Sequence, residues 1–248
     1  MTLNNKAMHL AKQIPNTITC LNLISGIIAI VCSFEEQFDY AVIAIIIAAI
    51  FDFMDGLAAR VLNAYSEIGK ELDSLAALVS FGVAPSLIAC NYLNGFPNMP
   101  TYSCFIIMVM AALSAVRLAK FNLDTRQTEN FLGLPVPANA LFVSSSIALI
   151  NHYPFFANSF VSGGYLIPIL SVFLGILLVS EIPMFSMKLK SIKWANNRLR
   201  YTFILIIIPV SAVIYLLNIH WTGIISFIFG FYIILNIGIA LFRKFSNK

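Results

Sequence analysis

A-V-I-A-I-I-I-A-A-I-F-D-F-M-D-G-L-A-A-R, residues 41–60, is the stretch that decides the fold. From Ala41 to Phe51 it carries neither a charge nor a helix breaker, and Asp52, Asp55 and Arg60 then follow within one short segment. A helix that crosses the hydrocarbon core of a bilayer needs about 20 mostly apolar residues. With Tyr40 the run reaches that length, so it reads as a membrane-crossing helix that ends in acids. The rest of the chain agrees: 60% of its 248 residues are hydrophobic and 10% are charged, against about 25% charged in soluble domains. So few charges could not cover a soluble protein of this size.

Seven further apolar runs surround this one. The expected spans are 17–33, 40–60, 71–91, 102–118, 136–151, 163–183, 201–218 and 222–242, the fifth being the shortest, with Pro135 before it and Pro137 in its first turn. The fold class is therefore all-α: a polytopic membrane bundle of about eight transmembrane helices, forming one membrane domain over residues 1–248. Lys and Arg fall only in alternate loops. Lys6 and Lys12 precede the first span, Arg60 and Lys70 flank the second loop, and Arg117, Lys120 and Arg126 lie in or beside the fourth. Lys188, Lys190, Lys193, Arg198 and Arg200 lie in the sixth loop, and Arg243, Lys244 and Lys248 follow the last span. The positive-inside rule places these loops and both termini in the cytoplasm of a multi-pass cell-membrane protein.

No signal peptide is read at the N-terminus. Residues 3–14 fit a short interfacial helix, with Leu3, Ala7, Leu10 and Ile14 on one face and Lys12 opposite, or a disordered tail. A net charge of +4 spread over several loops gives no reason to expect a nucleic-acid partner. Cys20, Cys32, Cys90 and Cys104 read as small buried side chains; a disulfide between two of the last three is compatible with their places near outer helix ends. His9, His152 and His220 read as isolated and receive no role.

The acids carry the chemistry. Charge inside a membrane helix costs about 2.5–3.5 kcal/mol per residue on insertion scales, yet Asp52 should lie more than a turn inside. Asp52 and Asp55 are three residues apart and share a helix face. Asp73 starts the third span, across a short cytoplasmic loop. Three neighbouring carboxylates repel one another unless a cation sits between them, and magnesium is typically held by carboxylates plus substrate phosphates. A Mg2+ or Mn2+ site facing a phosphorylated substrate follows. The competing reading is solvated acids at helix ends, with Asp55 paired to Arg60. Gly56, Ala58, Ala59 and Gly69 either open the backbone to a ligand or pack helices closely. Arg60 either grips phosphate oxygens or marks the membrane boundary.

Together these residues resemble the CDP-alcohol phosphotransferase family. Its motif, D-x-x-D-G-x-x-A-R, eight residues, then G-x-x-x-D-x-x-x-D, is matched by Asp52, Asp55, Gly56, Ala59, Arg60, Gly69 and Asp73. The resemblance implies that the acids hold two divalent metals bridging the diphosphate of a CDP-linked lipid. The eighth position departs: Ala77 stands where the family has the aspartate that serves as general base. This implies low activity, as in a point substitution of an active enzyme that still binds the CDP-lipid; a naturally inactive relative is the other option.

Further segments resemble the phosphatidylserine synthase branch: S-F-G-V-A-P at Ser80–Pro85, V-R-L-A-K-F-N at Val116–Asn122 and F-L-G-L-P-V-P at Phe131–Pro137. Pro15, Asn16, Thr19, Asn22 and Gly26 match the family's first-helix segment near the nucleotide, which implies that Asn22 hydrogen-bonds it, the alternative being an interhelical amide contact. Ser66 falls where relatives place a hydroxyl near the nucleotide, the alternative being a solvated loop serine. The resemblance covers roughly residues 12–190, the expected catalytic core, with two additional C-terminal spans over 200–248.

The implied reaction is transfer of a phosphatidyl group from CDP-diacylglycerol to L-serine, giving phosphatidylserine and CMP. Arg117 and Lys120, and less directly Asn122, are the candidates for holding the serine carboxylate. The implied partners are CDP-diacylglycerol, L-serine, membrane lipids and a second copy of the chain in a homodimer. The rival readings are the same chemistry on glycerol phosphate or inositol phosphate, a metal-ion transporter, and a noncatalytic CDP-lipid binder.

Overall fold

The computed structural model describes residues 3–97, 99–100, 102–123, 131–157, 164–186, 194 and 197–246, with side chains from residue 13 onward except at 131, 156 and 246. Arg126, Lys188, Lys190, Lys193 and Lys248, and the side chains of Lys6, His9 and Lys12, lie outside that set.

Eight main helices follow one another: α1 (Leu3–Phe34), α2 (Phe38–Val61), α3 (Glu67–Asn94), α4 (Tyr102–Leu123), α5 (Val136–Asn151), α6 (Leu166–Val179), α7 (Arg198–Leu216) and α8 (Thr222–Ser246). Six of them, α1 counted from Gln13, are long and apolar enough to cross a membrane; α5 and α6 are shorter apolar helices of 16 and 14 residues. The chain is a polytopic helical membrane protein. Large apolar side chains such as Ile50, Phe105, Ile169, Leu205 and Ile234 point outward and exposed, a surface that suits lipid rather than water.

Two segments differ from the expectation. Residues 3–14 do not form a separate helix: α1 runs on through Pro15 into the first span, although proline has no N–H to donate and its ring crowds the carbonyl four residues back. The sixth run, expected over 163–183, is helical only to Val179. Ser180 turns extended, and Pro183–Met184 pairs antiparallel with Phe131–Leu132. The F-L-G-L-P-V-P segment is what fits there. Gly133 adopts φ 80°, its N–H donates to Ile182 O (2.9 Å), and the Leu134 N–H donates to Leu177 O (3.0 Å). A Cβ on Gly133 would fall 2.5 Å from Leu178 O, so only glycine can make this turn, which pins the entry of α5 to the exit of α6.

The core joins α1 to α6 through fully buried Ala29, Ile45, Phe81, Ile88, Ile107, Met110, Ala140, Leu174 and Leu178. α1 packs along α2 and also touches α3, while α7 sits at the periphery against α8. Gly26 allows the α1–α3 approach, since a Cβ there would overlap Ser80, whose hydroxyl donates to Asn22 O (3.0 Å). The S-F-G-V-A-P segment widens α3 into a π turn over Leu78–Val83. Pro85 has no N–H for Phe81 O and its ring would crowd that carbonyl, and the wider turn relieves both problems.

Cys90 and Cys104 are disulfide-bonded, joining the end of α3 to the start of α4. Of the two readings given to the cysteines, the disulfide is the one found for Cys90 and Cys104; Cys20 and Cys32 are free, and the reading of Cys20 as buried is corrected, since it is exposed. In the chain-entropy picture, closing a loop of this size stabilises by about 3 kcal/mol. The histidines are corrected as well: His152 and His220 are not isolated but stack at a centroid distance of 3.7 Å.

A candidate active site at the turn between α2 and α3

The site is built from the way α2 stops and α3 starts. α2 ends in a Schellman motif: Asn63 takes the left-handed conformation (φ 49°), its N–H donates to Arg60 O (3.3 Å), and the Ala64 N–H donates to Ala59 O (2.9 Å). Two residues later Ser66 caps α3, its hydroxyl accepting from the Gly69 N–H at 3.0 Å. These two caps fold residues 62–66 tightly enough to set the last turn of α2 beside the first turns of α3.

A pocket of about 540 Å³ opens there, lined by residues that include Asn16, Thr19, Asp55, Gly56, Ala59, Arg60, Ser66, Gly69, Lys70, Asp73 and Phe121. That volume lies in the ordinary range of small-molecule sites. Of the residues singled out in the sequence, Asp55, Gly56, Ala59, Arg60, Ser66, Gly69 and Asp73 therefore meet in one place. Thr19 donates to Asp55 Oδ2 (2.7 Å), and Asn22 donates from Nδ2 to Asp52 Oδ1 (3.1 Å). Asn22 is fully buried and does not line the pocket; its contact joins α1 to α2. Asp52 sits one turn deeper than Asp55, and the three carboxylates are close enough to repel one another.

No Lys or Arg ion-pairs with Asp52, Asp55 or Asp73 among the described residues. Arg60 does not neutralise Asp55: its Nε donates to Gly56 O at 3.0 Å, which leaves the rest of the guanidinium at the pocket wall. The pocket lining thus carries both signs of charge, Asp55 and Asp73 together with Arg60, Lys70 and the N-terminus of α3. An α-helix N-terminus favours anions. Hard carboxylate oxygens with no ion-paired Lys or Arg among the described residues are the donor type that suits a hard divalent ion.

The two glycines differ. A Cβ on Gly69 would fall 2.9 Å from both Asn16 Oδ1 and Ser66 Oγ, whereas one on Gly56 would meet nothing within 4 Å. Gly69 is there for close packing and Gly56 for open space on the pocket side.

Ala77 lies one turn beyond Asp73 on the same helix and is buried in the apolar core, outside the pocket lining. Arg117 is buried beneath Phe121, its guanidinium carbon 5.4 Å from that ring's centroid. Lys120 is exposed and donates to Val179 O (3.5 Å), at the C-terminus of α6. Asn122 donates to Ser74 Oγ (2.7 Å) while its carbonyl accepts from Lys70 Nζ (3.2 Å), which ties the end of α4 to α3. Sequence reasoning had given Asn16, Thr19, Lys70 and Phe121 no role in the site. For Asn16 and Thr19 the signal was their place in the first-helix motif; Lys70 and Phe121 carried none beyond adjacency to Gly69 and Lys120.

Comparison with known proteins gives consistent results. A family profile described as CDP-alcohol phosphatidyltransferase matches residues 12–177. A CDP-diacylglycerol–serine O-phosphatidyltransferase of Helicobacter pylori is 36% identical over 210 residues, 80% of this chain and 80% of the relative. A protein of the same name from Methanocaldococcus jannaschii is 36% identical over 169 residues, 68% of this chain and 72% of the relative. Another from Bacillus subtilis is 40% identical over 124 residues, 50% of this chain and 69% of the relative.

Proposed function

The chain belongs to the CDP-alcohol phosphatidyltransferase family, and we propose that it transfers a phosphatidyl group from CDP-diacylglycerol to L-serine, releasing CMP. One observation carries the reading: a pocket lined both by carboxylates that ion-pair with no Lys or Arg among the described residues and by Arg60, Lys70 and a helix N-terminus. That mixture of charge suits a diphosphate bound with divalent cations. The relatives' names supply the lipid donor and the choice of serine.

Asp52, Asp55 and Asp73 would hold Mg2+ or Mn2+, which when bound would supply positive charge for the phosphoryl oxygens and the departing CMP. The chain's own groups do the rest. Arg60 and Lys70 draw the diphosphate against the first turn of α3. Gly56 lets it approach the backbone of α2. Thr19 and Asn22 fix the rotamers of Asp55 and Asp52 from α1, so these carboxylates are set before substrate arrives. Ser66 and Asn16 border the same space, where the nucleotide would sit.

The serine hydroxyl attacks the β-phosphorus and must lose its proton. Position 77 is where the family pattern puts the base, and Ala77 has no group to accept a proton, so we assign this chain reduced turnover. For the serine carboxylate we favour Arg117 over Lys120. Phe121, which covers Arg117, lines the pocket, whereas Lys120 is not among the lining residues.

We assign the acids to the cytoplasmic side of the cell membrane from the alternation of basic loops. The catalytic core is assigned to residues 12–190 and two accessory spans to 200–248, supported by the peripheral packing of α7. A homodimer is the assembly that the family resemblance suggests.

The test is lipid synthesis in proteoliposomes carrying CDP-diacylglycerol and one labelled alcohol at a time, with both the present chain and an Ala77→Asp form. Serine label enters lipid with equimolar CMP, and glycerol phosphate and inositol phosphate labels do not. Incorporation of a phosphorylated alcohol instead, or of nothing by either form, overturns the assignment.

A second test separates site from fold. Gly56→Ala adds a methyl group where nothing would touch it and should stabilise the helix by about 0.5–1 kcal/mol. The same methyl group stands in the diphosphate's path, and a misplacement of about 1 Å costs on the order of 10²-fold in rate. The variant therefore melts no lower than the parent and loses transfer activity in an Ala77→Asp background. Unchanged activity would mean that Gly56 faces no ligand.

A further inference from the structure

Asp39, His152 and His220 form a second polar cluster, at the end of the bundle remote from the acids. Asp39 lies in the first turn of α2, thirteen positions before Asp52, which is about 20 Å along the helix. His152 caps the C-terminus of α5, and His220 lies just before α8. Three separate elements thus bring one ligand atom each to a common point, all within 4.8 Å of one another.

The geometry has the marks of a ligand set. His152 Nε2 lies 2.9 Å and His220 Nε2 3.7 Å from the same oxygen, Asp39 Oδ2. The two imidazole rings are stacked with an interplanar angle of 27°, and both turn the same nitrogen toward the carboxylate. His220 is fixed from behind: its Nδ1 lies 2.9 Å from Thr222 Oγ1, and its backbone N–H donates to the Tyr153 hydroxyl at 3.3 Å. Thr222 is fully buried and is the first residue of α8. A hydrogen bond to the far ring nitrogen is the usual arrangement behind a metal-bound histidine, because it sets the tautomer and aims the other nitrogen. The side chains remain about one-quarter to one-third exposed, so an ion can reach them from water.

We propose that Asp39, His152 and His220 bind a divalent transition-metal ion, with zinc as the representative. Two imidazoles and one carboxylate suit zinc, copper or nickel and not the hard ions the acids suit. Three protein ligands leave a fourth position to water. The ion would replace the direct His152–Asp39 contact and cross-link α2, α5 and α8, with no part in phosphatidyl transfer.

The test uses the full chain in detergent, stripped of metal and then held in excess Mg2+ so that the acids at the other end are occupied. Zn2+ is titrated against a chromophoric chelator. The parent takes up one Zn2+ per chain that a His152→Ala/His220→Ala form does not, and Thr222→Val weakens that uptake by about 10–100-fold. Melting of the metal-free forms reports on folding. If the double variant fails to fold, X-ray absorption at the zinc edge of the parent still decides, with two imidazole scatterers expected. Equal zinc uptake by parent and a folded double variant, or an all-oxygen shell, overturns the proposal.

Discussion

An Ala77→Asp protein is expected to form phosphatidylserine about 10²–10⁴ times faster than the present chain, the range that a positioned general base contributes. The geometry makes the prediction sharper than a restored motif would. Ala77 is buried in apolar surroundings, one turn from Asp73 on the same helix. A carboxylate there is costly unless something neutralises it. The same substitution should therefore lower the melting temperature in EDTA and regain it in millimolar Mg2+ or Mn2+. Parallel melting and activity measurements in both conditions check the two halves together. An Ala77→Asp protein that is equally stable with and without divalent ions and no more active than its parent would remove the role assigned to position 77.

Single replacements of Asp52, Asp55 or Asp73 by Asn should move stability in opposite directions with and without metal. In EDTA three neighbouring carboxylates repel one another, so each Asn form should melt at or above the parent. With Mg2+ at about 100 times its Kd, the parent gains about 2.7 kcal/mol, or about 5–10 °C for a chain of this size. The Asn forms should lose most of that gain, and in an Ala77→Asp background lose transfer activity by at least about 10²-fold. Asp55→Asn and Asp52→Asn keep an amide oxygen that accepts from Thr19 and Asn22 in place of the carboxylate, so the contacts from α1 survive the substitution. Uniform destabilisation in EDTA would instead mean that the acids serve packing alone.

Much of this fold was legible because the bilayer imposes a strong requirement: long uncharged runs must become helices. All eight runs read from the sequence are helices, and the boundaries of α2, α5 and α8 fall within a few residues of the expectation. The exceptions have local causes. The sixth run looked longer because Pro183 and Met184 are as apolar as a helix would be, but they leave it to pair with Phe131–Leu132. The first helix begins earlier than read, because a single proline, though it removes a hydrogen bond and crowds a carbonyl, need not end a helix.

The acidic cluster was legible for a different reason. Asp52 and Asp55 are fixed on one face by helical spacing alone, and a tight turn leaves Asp73 nowhere to go but near them. What escaped was contact between elements distant in sequence. Nothing local announces that Thr19 reaches Asp55, that Lys70 reaches the carbonyl of Asn122, or that His152 and His220, 68 positions apart, stack. Nor does a sequence say which of two glycines has an empty space in front of it, as Gly56 has and Gly69 has not.

The Cys90–Cys104 bridge bears on which way the protein lies in its membrane. Such bridges last where the surroundings are oxidising and are kept reduced where glutathione and thioredoxin act. Cys90 follows Asp73 by seventeen positions along α3, which is about 25 Å of helix, so the sulfur pair and the carboxylates lie toward opposite ends of the span. A bond that lasts outside the cell would place the acids inside, the orientation proposed above, by an argument that owes nothing to counting lysines. Thiol labelling of intact cells with an impermeant reagent, before and after reduction, would read that polarity directly.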